Sequence, residues 1–152
     1  MGEVILDRAE LVKRCAGKRV VLTNGCFDLL HIGHVRALNE AAEHGELLVV
    51  GINDDASVRL LKGPGRPLVP CEERAEIIAN LVCVDFVHPF SEATADALLR
   101  ALRPAEHAKG PDYNVDNLPE GDTLKELGIE LVSVGEKKDR SVTDLLAKIR
   151  SQ

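Results

Sequence analysis

The feature that most constrains this chain is an alternation of short apolar runs with amphipathic stretches, maintained across its 152 residues. Residues 4–15 read as an amphipathic helix. Lys18 to Thr23 reads as a buried strand that ends at Asn24-Gly25. Helical patterns follow over 34–44, from the Asn53–Ser57 cap to about Lys62, over 72–81, over 94–102, over 124–127 with a stop at Gly128, and over 141–149. Between them lie strand patterns at 46–52, 84–88, 106–108 and 129–134. The run at 46–52 is continuously apolar, as expected for a strand covered on both faces. Five strands separated by helices predict an α/β fold, a Rossmann-like doubly wound parallel sheet with helices on both faces. The length fits a single domain over 1–152. In such a sheet ligands collect beyond the carboxyl ends of the strands. That directs attention to Asn24, Asn53, Lys109 and Gly135.

Composition removes several function classes. The chain has no Trp, one Tyr and three Phe, too few aromatics for a base-stacking surface. Its formal charge is −6 without a long basic run, which argues against nucleic acid as a partner. No apolar stretch reaches membrane-spanning length, and the start lacks the basic segment and apolar run of a signal peptide. Cys15, Cys26, Cys71 and Cys83 form no CxxC pair, so they read as reduced thiols rather than a zinc or redox motif. Together these features predict a cytoplasmic protein that handles small molecules.

The informative stretch runs from Gly25 to His34, Gly-Cys-Phe-Asp-Leu-Leu-His-Ile-Gly-His, where the first strand gives way to a helix. His31 and His34 are three apart, so they share a face if both enter the first helical turn. Gly33 between them has no side chain, which lets a ligand approach the backbone. The free N–H groups of a helix start attract anions, and two imidazoles beside them add donors. Taken singly, each part has a plain reading: a structural histidine, a tight turn. A zinc pair is more usual at i, i+4 and would need a further ligand. The combination, placed after the first strand of an α/β domain, points to phosphate chemistry.

This stretch resembles the His-Xaa-Gly-His signature of the cytidylyltransferase-like nucleotidyltransferases. Further segments resemble the adenylyltransferase domain of bacterial heptose-phosphate enzymes, which make ADP-glycero-manno-heptose. They are Thr23 to Asp28, Gly51 to Val58, Lys62 to Pro67, Lys109 to Tyr113 and Arg140 to Thr143, spread from about residue 18 to 150. The resemblance implies transfer of AMP from ATP to a sugar 1-phosphate, with release of pyrophosphate and with Mg²⁺ carried by the phosphates rather than by a protein cage. It implies that His31, His34 and Lys62 act on the reacting phosphates. It places Cys26, Phe27, Gly33, His34, Lys109, Gly110, Asp112, Ser141, Val142 and Thr143 along the nucleotide. It places Asp28, Asn53, Asp54, Lys62, Arg66 and Arg74 along the acceptor.

Two positions depart from the subgroup. Val142 stands where a hydroxyl residue is usual, and Pro111 stands where a second Gly is usual, removing an N–H donor. Read without the resemblance, Lys62 to Arg66 is a solvated loop that lacks the Walker pattern. Asn53-Asp54-Asp55 is a helix cap, and Cys26 a small packed residue. Lys137-Lys138-Asp139-Arg140 is a charge run with a phosphate role in the balance, and His44, His88 and His107 carry no assignment. A homodimer is a further expectation for so small a chain. The competing readings keep the fold and change the pair, to CTP with an alcohol phosphate or ATP with a flavin or pantetheine precursor. A nucleotide-binding sensor without catalysis is the remaining one.

Overall fold

The computed structural model describes residues 1–136 and 141–152, so the charge run at 137–140 lies outside the described residues. Thirteen elements follow in the order β1 (Glu3–Val4), α1 (Arg8–Cys15), β2 (Val20–Gly25), α2 (Ile32–Ala42), β3 (Leu47–Asn53), α3 (Asp55–Lys62), α4 (Cys71–Ala79), β4 (Phe86–Phe90), α5 (Asp96–Leu102), β5 (Glu106–Lys109), α6 (Gly121–Leu127), β6 (Glu130–Ser133) and α7 (Val142–Arg150). The sheet is parallel, in the order β1-β4-β3-β2-β5-β6.

All five expected strands are present, and there is a sixth. Residues 4–15 are not one helix. Val4 pairs with Val87, and the Ile5 N–H donates to the Val87 carbonyl at 2.9 Å. Asp7 then caps α1 by accepting from the Ala9 N–H at 3.0 Å. A two-residue edge strand has too little pattern to be read from a helical window. β4 also begins two residues later than its apolar run. Pro89 lies beyond Val87, the last β4 residue paired with β1, where a missing N–H is tolerated.

Two apolar layers cover the sheet. Alternate residues of β2 and β3 divide between them, as the twofold period of a strand requires. Val20, Leu22 and Val49 face Leu11 of α1, Leu98 and Leu99 of α5 and Leu124 of α6. Val21, Leu48, Val50 and Ile52 face Leu38 of α2 and Ala75 and Ile78 of α4. Each such Leu, Ile or Val contributes about 1.5–3 kcal/mol when taken out of water. Strand order reverses at β2, whose neighbours are β3 on one side and β5 on the other. The chain crosses back there, which opens a crevice at the carboxyl ends of β2 and β5.

Two histidines sit inside these layers. His88 packs in β4 with Nδ1 2.9 Å from the Ile5 carbonyl, and His107 in β5 is fully buried. Burial, and then the Lys109 charge, hold the His107 ring down to about 3. Burial likewise lowers His88. In the unfolded chain both titrate near 6.5, so between that value and the folded ones the unfolded state binds more protons. Stability is therefore full above about pH 6.5 and declines as pH falls below it. Melting temperature measured from pH 7.5 to 4.5 should drop over this window, with a shallower slope in His107→Leu. An identical slope in that variant would clear His107 of the effect.

Candidate active site

The start of α2 is built from the two histidines themselves. His31 has extended backbone (φ −136°, ψ 172°) and caps the helix, which therefore begins at Ile32 rather than at His34. The Gly33 N–H donates to His31 Nδ1 at 3.1 Å, and the His31 N–H donates to His34 Nδ1 at 3.2 Å. With both Nδ1 atoms accepting, each neutral ring carries its proton on Nε2 and presents it as a donor. The ring centroids are 3.9 Å apart with planes tilted by 30°. Burial first, and the neighbouring His31 second, lower His34 to about 4, so it is neutral at physiological pH. Gly33 is required for a reason its spacing did not reveal: a Cβ there would lie 2.9 Å from His31 Cε1 and 3.0 Å from Nδ1. Phe27, in the loop leading to the pair, has a left-handed φ of 49°, and its ring packs 5.3 Å from that of His34. A non-glycine residue in that region costs about 1–3 kcal/mol and persists only where its surroundings impose it.

These groups open into a cavity of about 1080 Å³ at the carboxyl ends of the strands. Cys26, Phe27, Asp28, His31, Gly33, His34, Asn53, Lys62, Arg66, Lys109, Gly110, Asp112, Ser141, Val142 and Thr143 all line it. So do Asn24 and Gly135, the remaining strand-end positions, and Pro111. Two candidates do not. Asp54 caps α3, accepting from the Ser57 N–H at 2.8 Å. Arg74 is enclosed. Its guanidinium donates to the carbonyls of Val69 at 2.7 Å, Cys26 at 2.6 Å and Asn53 at 2.8 Å, and to Asp55 Oδ1 at 2.7 Å. A side chain committed to four protein acceptors is a structural tie, not a hand held out to a ligand.

Several lining residues also carry protein bonds. Asp28 is buried, and its carboxylate accepts from the Leu68 N–H (2.8 Å), the Val69 N–H (3.0 Å) and Arg66 Nε (2.7 Å). Burial alone would raise its pKa, but the two amides and Arg66 together bring it below the ordinary carboxylate value. Asp28 thus anchors the loop after α3 and steers Arg66. Among the described residues Nε makes the one hydrogen bond of Arg66, leaving the rest of its guanidinium for the cavity. Asn53 donates to Ser57 Oγ at 2.8 Å. Lys109 Nζ reaches the Asn24 carbonyl at 3.3 Å and lies 5.1 Å from the centre of the Tyr113 ring. Ser141 caps α7, its hydroxyl accepting from the Asp144 N–H at 3.1 Å. Burial pushes the Cys26 thiol up, away from a reactive thiolate.

Arg36 and Glu120 also line the cavity and were not singled out by the sequence. For Arg36 a signal existed, since it follows Gly33 at i, i+3 on α2. For Glu120, in the turn before α6, there was none. Arg36, Lys62, Arg66 and Lys109 gather positive charge here in a chain of net charge −6. Asp112, Glu120 and Glu136 stand elsewhere on the wall. The starts of α2 and α7 add N–H donors. The arrangement suits a polyanion bound beside a second, partly polar molecule. Among the described residues there is no cluster of three His, Cys, Asp or Glu able to hold a metal ion.

Comparison with known proteins shows the family of the chain. A family model described as cytidylyltransferase-like matches residues 22–150. The Bifunctional protein HldE of Geobacter sulfurreducens is 47% identical over 137 residues, covering 90% of this chain and 28% of that protein. The protein of the same name from Geotalea uraniireducens is 48% identical over 147 residues, covering 94% and 30%. This chain therefore spans under a third of the length of these curated relatives. Among solved structures, a lipopolysaccharide core biosynthesis protein from Thermoplasma volcanium superposes with a TM-score of 0.68 at 23% identity, over 80% of this chain and all of that one. Pantothenate synthetase from Thermus thermophilus superposes with a TM-score of 0.64 at 17% identity, over 87% and 61%. These two likenesses concern the fold.

The enclosed guanidinium generates a direct prediction. Arg74→Met takes the guanidinium from the Cys26, Asn53 and Val69 carbonyls and should cost about 1–3 kcal/mol for a buried acceptor left unsatisfied. Urea unfolding of the variant checks this; a loss below 1 kcal/mol would remove Arg74 as the tie.

Proposed function

The chain belongs to the cytidylyltransferase-like family of nucleotidyltransferases, and from that premise we propose that it transfers AMP from ATP to a sugar 1-phosphate and releases pyrophosphate. The observation that carries the reading is the pair of Nε2–H donors fixed by backbone amides beside Gly33, at a helix start that opens into a cavity able to hold two small molecules. D-glycero-D-manno-heptose 1-phosphate is the acceptor we favour. The Lys62–Pro67 and Lys109–Tyr113 segments and the relatives named Bifunctional protein HldE support it. The reaction belongs in the cytoplasm, where ATP is available; no described helix is long and apolar enough to cross a membrane.

An oxygen of the acceptor phosphate attacks the α-phosphorus of ATP, that P–O bond forms, and the bond to the β-phosphate oxygen breaks in line. The acceptor phosphate is ionised near neutral pH, so no strong base is needed. The protein's tasks are to offset repulsion between two anions and to hold them aligned. His31 and His34 offer Nε2–H donors to the oxygens of the reacting phosphate from rings 3.9 Å apart, and burial keeps His34 neutral. Lys62 at the end of α3 and Arg66, steered by Asp28, meet the acceptor phosphate. Orientation of this kind can contribute roughly 7–11 kcal/mol. Mg²⁺ would enter on the phosphates of the nucleotide and would supply charge neutralisation there.

Pyrophosphate release measured with ATP, CTP, GTP and UTP, each against sugar 1-phosphates, glycerol 3-phosphate and phosphopantetheine, tests the reading. Turnover should be greatest with ATP and the heptose phosphate; preference for CTP with glycerol 3-phosphate would reassign the substrates. His34→Ala should lower kcat by about 100–1,000-fold, the usual cost of a lost transition-state donor, with the fold retained by circular dichroism. Lys62→Ala should raise the acceptor KM more than the ATP KM, and unchanged acceptor kinetics would reject that role.

A further inference from the structure

The reacting groups lie on the sheet face covered by α2. Gly135, just past β6, adjoins that face, where Glu40 of α2 accepts from the Gly135 N–H at 2.8 Å. The cavity continues onto the opposite face, below α5 and α6, where the wall includes Asn24, Ala93, Leu118, Pro119 and Glu120. Asn24 lies opposite Gly51 in register, and His107 lies opposite Leu22. His107 Nε2 is 2.9 Å from Asn24 Oδ1, and the fully buried His107 Nδ1 has no partner among the described residues. A proton on Nδ1 would bury an unpaired N–H, a costlier orphan than a bare ring nitrogen. The proton is therefore on Nε2, and His107 donates to Asn24 Oδ1. That bond turns the Asn24 amide nitrogen away from the ring and toward the cavity.

Glu120 is fixed in a parallel way. One carboxylate oxygen, Oε1, accepts from the Ala95 N–H at 2.9 Å, at the start of α5. The other makes no hydrogen bond among the described residues, and the side chain lines the cavity. A Cβ at Gly51 would lie 3.0 Å from Leu98 Cδ2 and 3.3 Å from Asn24 Cβ, so Asn24 stands against the same helix. The wall thus offers an oriented N–H₂ donor and an oriented carboxylate acceptor beside apolar Leu118 and Pro119. A hydroxyl, which both donates and accepts, suits that pair; a phosphate would be repelled by Glu120.

Resting on the reaction proposed above, we propose that Asn24 and Glu120 recognise hydroxyl groups on the uncharged part of the acceptor, and that His107 is a positioning residue that sets the Asn24 amide. The nucleotide and both phosphates stay on the α2 side, and the acceptor's polyol body extends across the end of β2 to the α5 side.

The test is steady-state pyrophosphate release with ATP and D-glycero-D-manno-heptose 1-phosphate, paired with calorimetric titration of ATP alone as a control for folding. Asn24→Ala and Glu120→Gln should each raise the acceptor KM about tenfold or more, the effect of losing one oriented hydrogen bond, with ATP affinity within about twofold of the parent. His107→Leu should raise the acceptor KM in the parent and have no further effect in an Asn24→Ala background, because its influence passes through the Asn24 amide. Unchanged acceptor KM in Asn24→Ala and Glu120→Gln overturns the subsite while leaving the reaction intact. An equal His107→Leu effect in both backgrounds overturns the positioning role. A parent protein that binds ATP but turns over no sugar phosphate removes the proposed reaction and this inference with it.

Discussion

A guanidinium shut away from solvent holds the carboxyl end of this sheet together. Arg74 reaches from α4 to the carbonyl just past β2, to the last carbonyl of β3 and to the loop that precedes its own helix. Those carbonyls belong to Cys26 and Asn53, the points where the chain leaves the sheet for the histidine loop and for α3. In a low-dielectric interior such charge-assisted bonds are strong, and their geometry is narrow. The histidine loop and the start of α3 therefore leave the sheet from defined positions.

From there the site is assembled by groups that do two things at once. His31 and His34 close the helix start with their Nδ1 atoms, so the same bonds that fold α2 also place the ring protons on Nε2. Asp28 spends its carboxylate on two backbone amides and Arg66, which turns a Gly- and Pro-rich loop into a fixed cation mount. Gly33 is bare because the His31 ring occupies the space a side chain would take. Each economy couples stability to chemistry, since loss of one of these residues would loosen the loop as well as remove a contact.

Much of this was legible beforehand. The five main strands and their alternation with helices came from hydrophobic period alone, and Gly128, Ser141 and Asp54 marked helix ends through turn and cap chemistry that acts over a few residues. Fifteen residues expected around the ligands do line one cavity, because strand ends in a doubly wound sheet must converge. Arg74 was misplaced because an arginine four residues past a proline carries no local mark of burial. β1 escaped because two residues hold no period. The Asn24–His107 and Ala95–Glu120 bonds span 83 and 25 positions, beyond the reach of any spacing argument.

The chain's own letters determined the fold class, the histidine loop and the family resemblance, because period, capping and motif spacing are local properties. Only tertiary structure decided which polar side chains were free for a ligand and which were consumed by the protein. That division depends on hydrogen-bond partners brought in from distant strands, and a one-dimensional pattern does not record them.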